Sequence, residues 1–232
     1  VGDADADEAT GPFIDRDVAF ERTWLDDASW IDVARGWIKN PEPFETAMRE
    51  QVPWNQGRIW RYEKYVEDPR LTGFWAPGRG DPPHPILVEA HRSLSHRYHR
   101  FDSVAFCRYR DGFDGQAFHR DQEMRWLEDT VIVVLTLGAQ RPWRLRPRAN
   151  RHKDDALKGA THDLSPASGD VLVMGGACQA RWEHSVPQIR DQQVGERISM
   201  QWRWTSKRGR PQQGPGYGAP LDFSDRPARR PR

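Results

Sequence analysis

The sequence predicts an α+β domain, mainly β, in which two sheets close over a pocket behind a helical front. Three observations lead there. Before Phe101, apolar residues recur at helical spacing; after it, short stretches of apolar or alternating residues are separated by turn-forming residues. The last of these, 197–204, alternates without a break: Arg197, Ser199, Gln201 and Arg203 share one face, and Ile198, Met200, Trp202 and Trp204 the other. Many short strands after helices are the pattern of layered α+β or all-β folds.

In chain order, 41–51 opens with proline and acidic residues, which suit the first turn of a helix. The segment 85–98 carries Ile86, Leu87, Ala90 and Leu94 on one face, the mark of a helix lying on a sheet. Strands are expected at 103–109, 130–137, 143–146, 171–174, 181–185 and 197–204, divided by Asp-Gly, Gly, Pro and charged turns. Val131–Leu135 is apolar on both faces and belongs in the centre of a sheet. A strand that starts after Gly169 ends in the pair Gly175-Gly176, and 178–184 reads as a short return strand carrying His184. There is no internal repeat.

A chain of 232 residues is long enough for one substantial core. The expected boundaries are a disordered acidic segment over 1–16, a single domain over 17–205, and a basic Pro, Gly and Arg-rich tail over 206–232. The first 15 residues carry Asp3, Asp5, Asp7, Glu8 and Asp15 with no basic residue, whereas the tail holds Arg208, Arg210, Arg226, Arg229, Arg230 and Arg232. Such a tail either attracts phosphates or is a solvated extension, and the net charge of +1 does not choose between them. No apolar run reaches the roughly 20 residues of a membrane span. A soluble, cytoplasmic protein is expected. The two cysteines, Cys107 and Cys178, provide no disulfide framework and are expected to be buried free thiols.

Chemistry concentrates in His119-Arg120-Asp121, in His184, and in the alternating strand from Arg197. On a strand, residues 119 and 121 point to one side and Arg120 to the other, so His119 and Asp121 can converge on one ion while His184 arrives from a second strand. Two imidazoles and one carboxylate hold a ferrous ion on one face and leave the opposite positions open, as oxygen-using iron enzymes require. A His-x-Asp pair alone also fits surface residues, and alternation alone fits a strand with its polar face in water. If that face instead lines a cavity, Arg197 and Arg203 can clamp a dicarboxylate, because guanidinium and carboxylate pair in a planar fork.

Taken together these motifs resemble the AlkB-like dioxygenases, over a stretch from about Ile59 to Trp204. Phe101 to Gly112 resembles the family's strand and turn before the metal site, Phe118-His-Arg-Asp-Gln-Glu123 its iron-binding segment, and Gly169 to Val186 the segment ending in the second histidine. The Arg-x-Asn-x-Thr-x-Arg signature appears as Arg197-Ile-Ser199-Met-Gln201-Trp-Arg203. Three positions depart from the pattern: Cys107 and Ser199 stand where the family usually has Asn, and Gln201 where it has Thr.

The resemblance implies a double-stranded β-helix, or jelly roll, buttressed by N-terminal helices, with 17–100 as helical front and nucleotide-recognition lid and 101–205 as the core. It implies Fe(II) on His119, Asp121 and His184, 2-oxoglutarate held by Arg197, Arg203 and Tyr109 with Ser199 and Cys107 beside it, and O2 as the second co-substrate. The lid would include 58–75, with Phe74 and Trp75 as base-stacking candidates and Glu123 reading the base edge; the plain alternatives are core aromatics and a surface ion pair. The implied activity is oxidative demethylation of N-alkylated nucleic-acid bases, most simply DNA alkylation repair of 1-methyladenine or 3-methylcytosine, with methylated DNA as the partner. An oxygenase acting on RNA, a protein side chain or a small metabolite is the second reading, and a non-catalytic jelly-roll binding module the third. No membrane association is expected, and no obligatory protein partner is readable from the sequence.

Overall fold

The computed structural model describes residues 11–61, 63–121, 124, 129–148, 161–191 and 193–206. The chain enters through β1 (Phe13–Ile14), β2 (Glu21–Trp24), β3 (Ser29–Ala34) and β4 (Ile38–Lys39), and then forms α1 (Glu42–Gln51). A hairpin of β5 (Asn55–Arg61) and β6 (Lys64–Trp75) precedes α2 (Pro85–Arg97). Next come β7 (Val104–Tyr109), β8 (Gln116–His119), β9 (Thr130–Gly138), β10 (Arg144–Pro147), β11 (His162–Asp163) and β12 (Val171–Gly176). One helical turn, α3 (Cys178–Arg181), leads into β13 (Trp182–Val186), and β14 (Arg197–Thr205) ends the described part.

Both larger helices form for local reasons. Glu42 and Glu45 lie in the first turn of α1 and Arg49 in its last, matching the helix dipole, while Phe44, Ala47 and Met48 form its buried stripe. Helix α2 starts at Pro85, after His84 caps it by accepting the Ile86 amide at 3.2 Å, and it buries Ile86, Leu87, Ala90 and Leu94.

The strands form an antiparallel eight-stranded sheet in the order β2-β3-β12-β9-β14-β7-β6-β5, a four-stranded sheet β11-β10-β13-β8, and a small β1-β4 pair. These are the two layers of a double-stranded β-helix. Alternation divides the core between them. On β9, Val131, Val133, Leu135 and Leu137 pack towards the helices, together with Ile198, Met200 and Trp202 of β14. Ile132 and Val134 point the other way and meet Leu145, Trp182 and Val186 of the smaller sheet and Trp143 just before it. The doubly apolar β9 thus lies between β12 and β14, as its composition suggests.

Three expectations change. The front is not purely helical: Ser29–Ala34 pairs with β12, and 55–75 is a hairpin whose second strand joins β7. Order begins before residue 17, because Phe13–Ile14 pairs with Ile38–Lys39 and Ile14 is 7% exposed in the core. Finally, 178–184 is not one return strand: α3 turns the chain first, and only Trp182–Val186 is extended. Gly175 and Gly176 permit that turn. A Cβ on Gly175 would lie 1.9 Å from the Trp30 ring, and Gly176 has φ +65 with the Ala28 carbonyl 2.1 Å from where its Cβ would stand.

Candidate active site

The neighbouring strands β8 and β13 bring the two histidines together, because their register pairs His119 directly with His184. The rings lie 4.2 Å apart between centroids at 52°. Asp121 follows just beyond the end of β8; its Oδ1 is 3.5 Å from His119 Nε2 and 3.9 Å from His184 Nε2. One ligand atom from each of the three falls within 4.8 Å of the others, which is the spread a single ion can gather. Arg120 is not turned away, as strict alternation would have it. It lines the same cavity, and its Nη1 donates to the Ala180 carbonyl at 3.3 Å.

Surrounding groups orient each ligand. His119 Nδ1 lies 2.9 Å from the Ala117 carbonyl, which calls for a proton on Nδ1 and leaves the Nε2 lone pair for a metal. His184 stacks on buried Trp143 at 5.6 Å and 15°, so packing holds its ring. The Asp121 amide donates to Gln179 Oε1 at 2.9 Å, and Arg203 Nε donates to Asp121 Oδ2 at 2.6 Å.

The electrostatics keep the ligands in their metal-binding forms. Burial would raise the Asp121 carboxyl, but Arg203, His119 and His184 outweigh it and hold the group well below the usual carboxylate range. Burial, with His119 alongside, pulls the His184 imidazole down to about 3 against the opposing pull of Asp121. At neutral pH the site therefore offers an ionised carboxylate and a neutral His184.

On β14, Arg197 and Ser199 are fully buried, and register sets Arg197 opposite Tyr109 and Ser199 opposite Cys107. Arg197 Nη2 donates to Thr136 Oγ1 at 3.2 Å, while its Nε and Nη1 have no partner and neither does Ser199 Oγ. Burial pulls the guanidinium down to about 10, which still leaves it charged at neutral pH. Burial also pushes the Tyr109 phenol up to about 12 and raises the Cys107 thiol, so both keep their protons. A buried cation with unfilled donors is costly unless an anion reaches it. The polar face of β14 lines a cavity, and the solvent-facing alternative does not hold.

That cavity has a volume of about 1160 Å³ and is lined by the three ligands together with Cys107, Tyr109, Ser199, Gln201 and Arg203. Arg70 of β6 also lines it; the residue was missed in the sequence, although its parity with Thr72, the register partner of Cys107, places it on the inner face. Trp143 was missed as well, since nothing local marks a core tryptophan as a histidine support. Of the base-pocket candidates, Phe74 is 53% exposed and paired with Ala105, a cavity-lining residue. Trp75 is 6% exposed, packed in the core edge-to-face on His91, which favours its core alternative. Glu123 lies outside the described residues, as do residues 1–10 and the tail from 207.

A His-Asp-His triad lining a cavity, and a buried arginine with unfilled donors on the strand that supplies Ser199, Gln201 and Arg203 to it, are the parts an iron and 2-oxoglutarate centre requires. The chain matches the family model of the 2OG-Fe(II) oxygenase superfamily over residues 42–207, and it belongs to that superfamily. Its relatives are AlkB-like. It is 28% identical over 158 residues to human alpha-ketoglutarate-dependent dioxygenase alkB homolog 3, covering 60% of this chain and 52% of that protein. It is 30% identical over 103 residues to human DNA oxidative demethylase ALKBH2, covering 44% of this chain and 39% of that protein. The chain thus spans about half the length, or less, of these relatives. Among solved structures, a Pseudomonas putida prolyl-4-hydroxylase superposes with a TM-score of 0.49 at 16% identity, covering 75% of this chain and 92% of that one. The superfamily's cofactor and co-substrates are Fe(II), 2-oxoglutarate and O2. The donor set fits them: two imidazoles and a carboxylate for the metal, and the unpartnered donors of Arg197 and Ser199 for a carboxylate. Among the described residues no helix is long and apolar enough to cross a membrane.

Proposed function

We propose that this chain oxidatively demethylates N-alkylated bases of nucleic acid, of the 1-methyladenine and 3-methylcytosine type, releasing succinate, carbon dioxide and formaldehyde. The observation that carries this reading is the cavity. At about 1160 Å³ it exceeds the roughly 300–1,000 Å³ of a small-molecule site, and Arg70, Arg100, Arg120 and Arg203 line it. It has room for a flat base beside the co-substrate, and although Asp102, Asp121 and Glu183 also line it, the arginines supply donors suited to phosphates. The names of the AlkB relatives point the same way.

Iron held by His119, Asp121 and His184 would supply the activation of O2 that oxidises an N-methyl C–H bond as 2-oxoglutarate loses CO2. The rest falls to the chain. Arg197 would take the distal carboxylate with its free Nε and Nη1, with Tyr109 and Ser199 beside it. Arg203 holds Asp121 Oδ2, which leaves Oδ1 turned towards the two histidines. The hairpin of β5 and β6 carries Arg70 over the cavity and would cover the base. Once the methyl carbon bears a hydroxyl, the hydroxyl proton passes to water and the C–N bond breaks: the carbon leaves as formaldehyde, and the ring nitrogen keeps the electron pair.

The test is product formation. Oligonucleotides bearing 1-methyladenine or 3-methylcytosine should yield formaldehyde and succinate in equal amounts, and unmethylated ones no formaldehyde. If no methylated DNA or RNA supports turnover while metal and 2-oxoglutarate still bind, the substrate is a protein side chain or a small metabolite instead.

A further inference from the structure

Asp121 is the one member of the triad outside a strand; its amide donates to Gln179 Oε1 and its carbonyl accepts the Met124 amide, but neither contact aims the carboxylate. Asp121 lies past the last paired residue of β8, whereas His119 and His184 are both within strands. Its carboxylate direction therefore depends on side chains, and Arg203 Nε is 2.6 Å from its Oδ2. Arg203 is itself a long side chain, 35% exposed, with rotamer freedom that one hydrogen bond does not remove. A second contact restrains it. Arg203 Nη2 donates to Gln201 Oε1, two residues back on the same face of β14.

Gln201 is anchored in turn. Its Nε2 is 3.7 Å from the Sγ of buried Cys107 on the neighbouring strand β7. The amide orientation is unambiguous, because only the oxygen can accept from a guanidinium, so the nitrogen must face the sulfur. A continuous chain results, from Cys107 through Gln201 and Arg203 to Asp121. A shorter side chain at 201, such as the Thr of the resembling pattern, would not span it.

We propose that Gln201 is a positioning residue for the metal centre: it fixes the Arg203 guanidinium so that its Nε holds Asp121 Oδ2 and leaves Oδ1 facing the histidines. The proposal rests on the oxygenase reading of the site and adds to it a residue outside the three metal ligands. Groups that orient a ligand typically contribute about 10–100-fold to metal affinity, and Gln201 acts one step further out, so about tenfold is expected.

The test is Mn(II) binding to the metal-free protein, followed by the electron paramagnetic resonance of free Mn(II) and by calorimetry, with no turnover required. Gln201→Met keeps the side-chain length without its polar atoms. It should weaken Mn(II) binding about tenfold and leave the melting temperature of the metal-free protein unchanged. Gln201→Glu keeps an oxygen for Arg203 Nη2 and should bind Mn(II) as the parent does, or more tightly. Parental affinity in Gln201→Met overturns the proposal. So does an equal loss in both variants, since the acceptor oxygen would then be irrelevant. A parent protein that binds no Mn(II) would instead remove the oxygenase reading itself, and the proposal with it.

Discussion

Arg197 has a role in the structure that would be costly in an ordinary strand. It is a fully buried guanidinium with Nε and Nη1 unpartnered and only Thr136 Oγ1 in reach of Nη2. If those donors await a carboxylate, Arg197→Lys keeps the charge but loses the planar fork. A hydrogen bond to a charged group is worth about 1.5–3 kcal/mol, and tenfold in affinity is about 1.4 kcal/mol. Loss of one such bond should raise the dissociation constant for 2-oxoglutarate about 10–100-fold, measured by calorimetry with Mn(II) in place of Fe(II). Arg144→Lys is the comparison, because Arg144 forms an exposed pair with Asp163 at 3.3 Å. Such pairs contribute about 0.2–1 kcal/mol at most, and co-substrate affinity should not change. Arg197→Met sharpens the contrast: removing an uncompensated buried cation should leave the metal-free protein as stable as before, or more so, and abolish its stabilisation by 2-oxoglutarate. If Arg197→Met melts well below the parent in the absence of ligand, or Arg197→Lys keeps parental affinity, the anion-site reasoning is wrong.

Replacing His119, Asp121 or His184 by Ala should remove Mn(II) binding while the far-ultraviolet circular dichroism stays native, since these side chains line a cavity; parental binding by Asp121→Ala would exclude it as a ligand. Trp75→Ala should destabilise the fold by about 3–5 kcal/mol in urea titrations, as core tryptophans do, without changing the ranking of methylated oligonucleotides. Phe74→Ala should show the reverse, weaker oligonucleotide binding at unchanged stability, because its ring is 53% exposed beside the cavity-lining strand. His91 accepts the Trp202 indole N–H at 3.1 Å, and burial lowers its pKa against a small opposing pull from Asp102. The native state thus prefers neutral His91, and its contribution is complete above the unfolded value of about 6.5 and lost as pH falls below it. Unfolding free energies at pH 7.5 and 5.5 should show that loss, and His91→Gln should reduce it; an unchanged pH dependence would remove His91 from the account.

What could be read from the chain was whatever period two or helical spacing encodes. The alternation of 197–204 assigned both faces of β14, and the apolar run at Val131 assigned a central strand, because side-chain direction follows from backbone period alone. Phe74 and Trp75 could not be told apart because neighbouring residues on one strand face opposite ways, and local sequence does not say which side is the core. Arg120 was misplaced because β8 stops at His119, so strand parity no longer applies one residue on. Arg70 and Gln201 matter through Cys107, which is 37 residues from the first (107 − 70) and 94 from the second (201 − 107), and such neighbours exist only once β6, β7 and β14 are adjacent. The front strands escaped notice because β3 alternates within a stretch of only 6 residues, between turns with their own charges.

Anaerobic addition of Fe(II) and then 2-oxoglutarate to the metal-free protein, with the visible spectrum recorded at each step, bears most directly on the site. A charge-transfer absorption should appear only when both are present, should be missing in Asp121→Ala, and should require a higher 2-oxoglutarate concentration in Arg197→Lys. No visible band from the parent protein at saturating Fe(II) and 2-oxoglutarate would contradict the assignment of this cavity as an iron and 2-oxoglutarate centre.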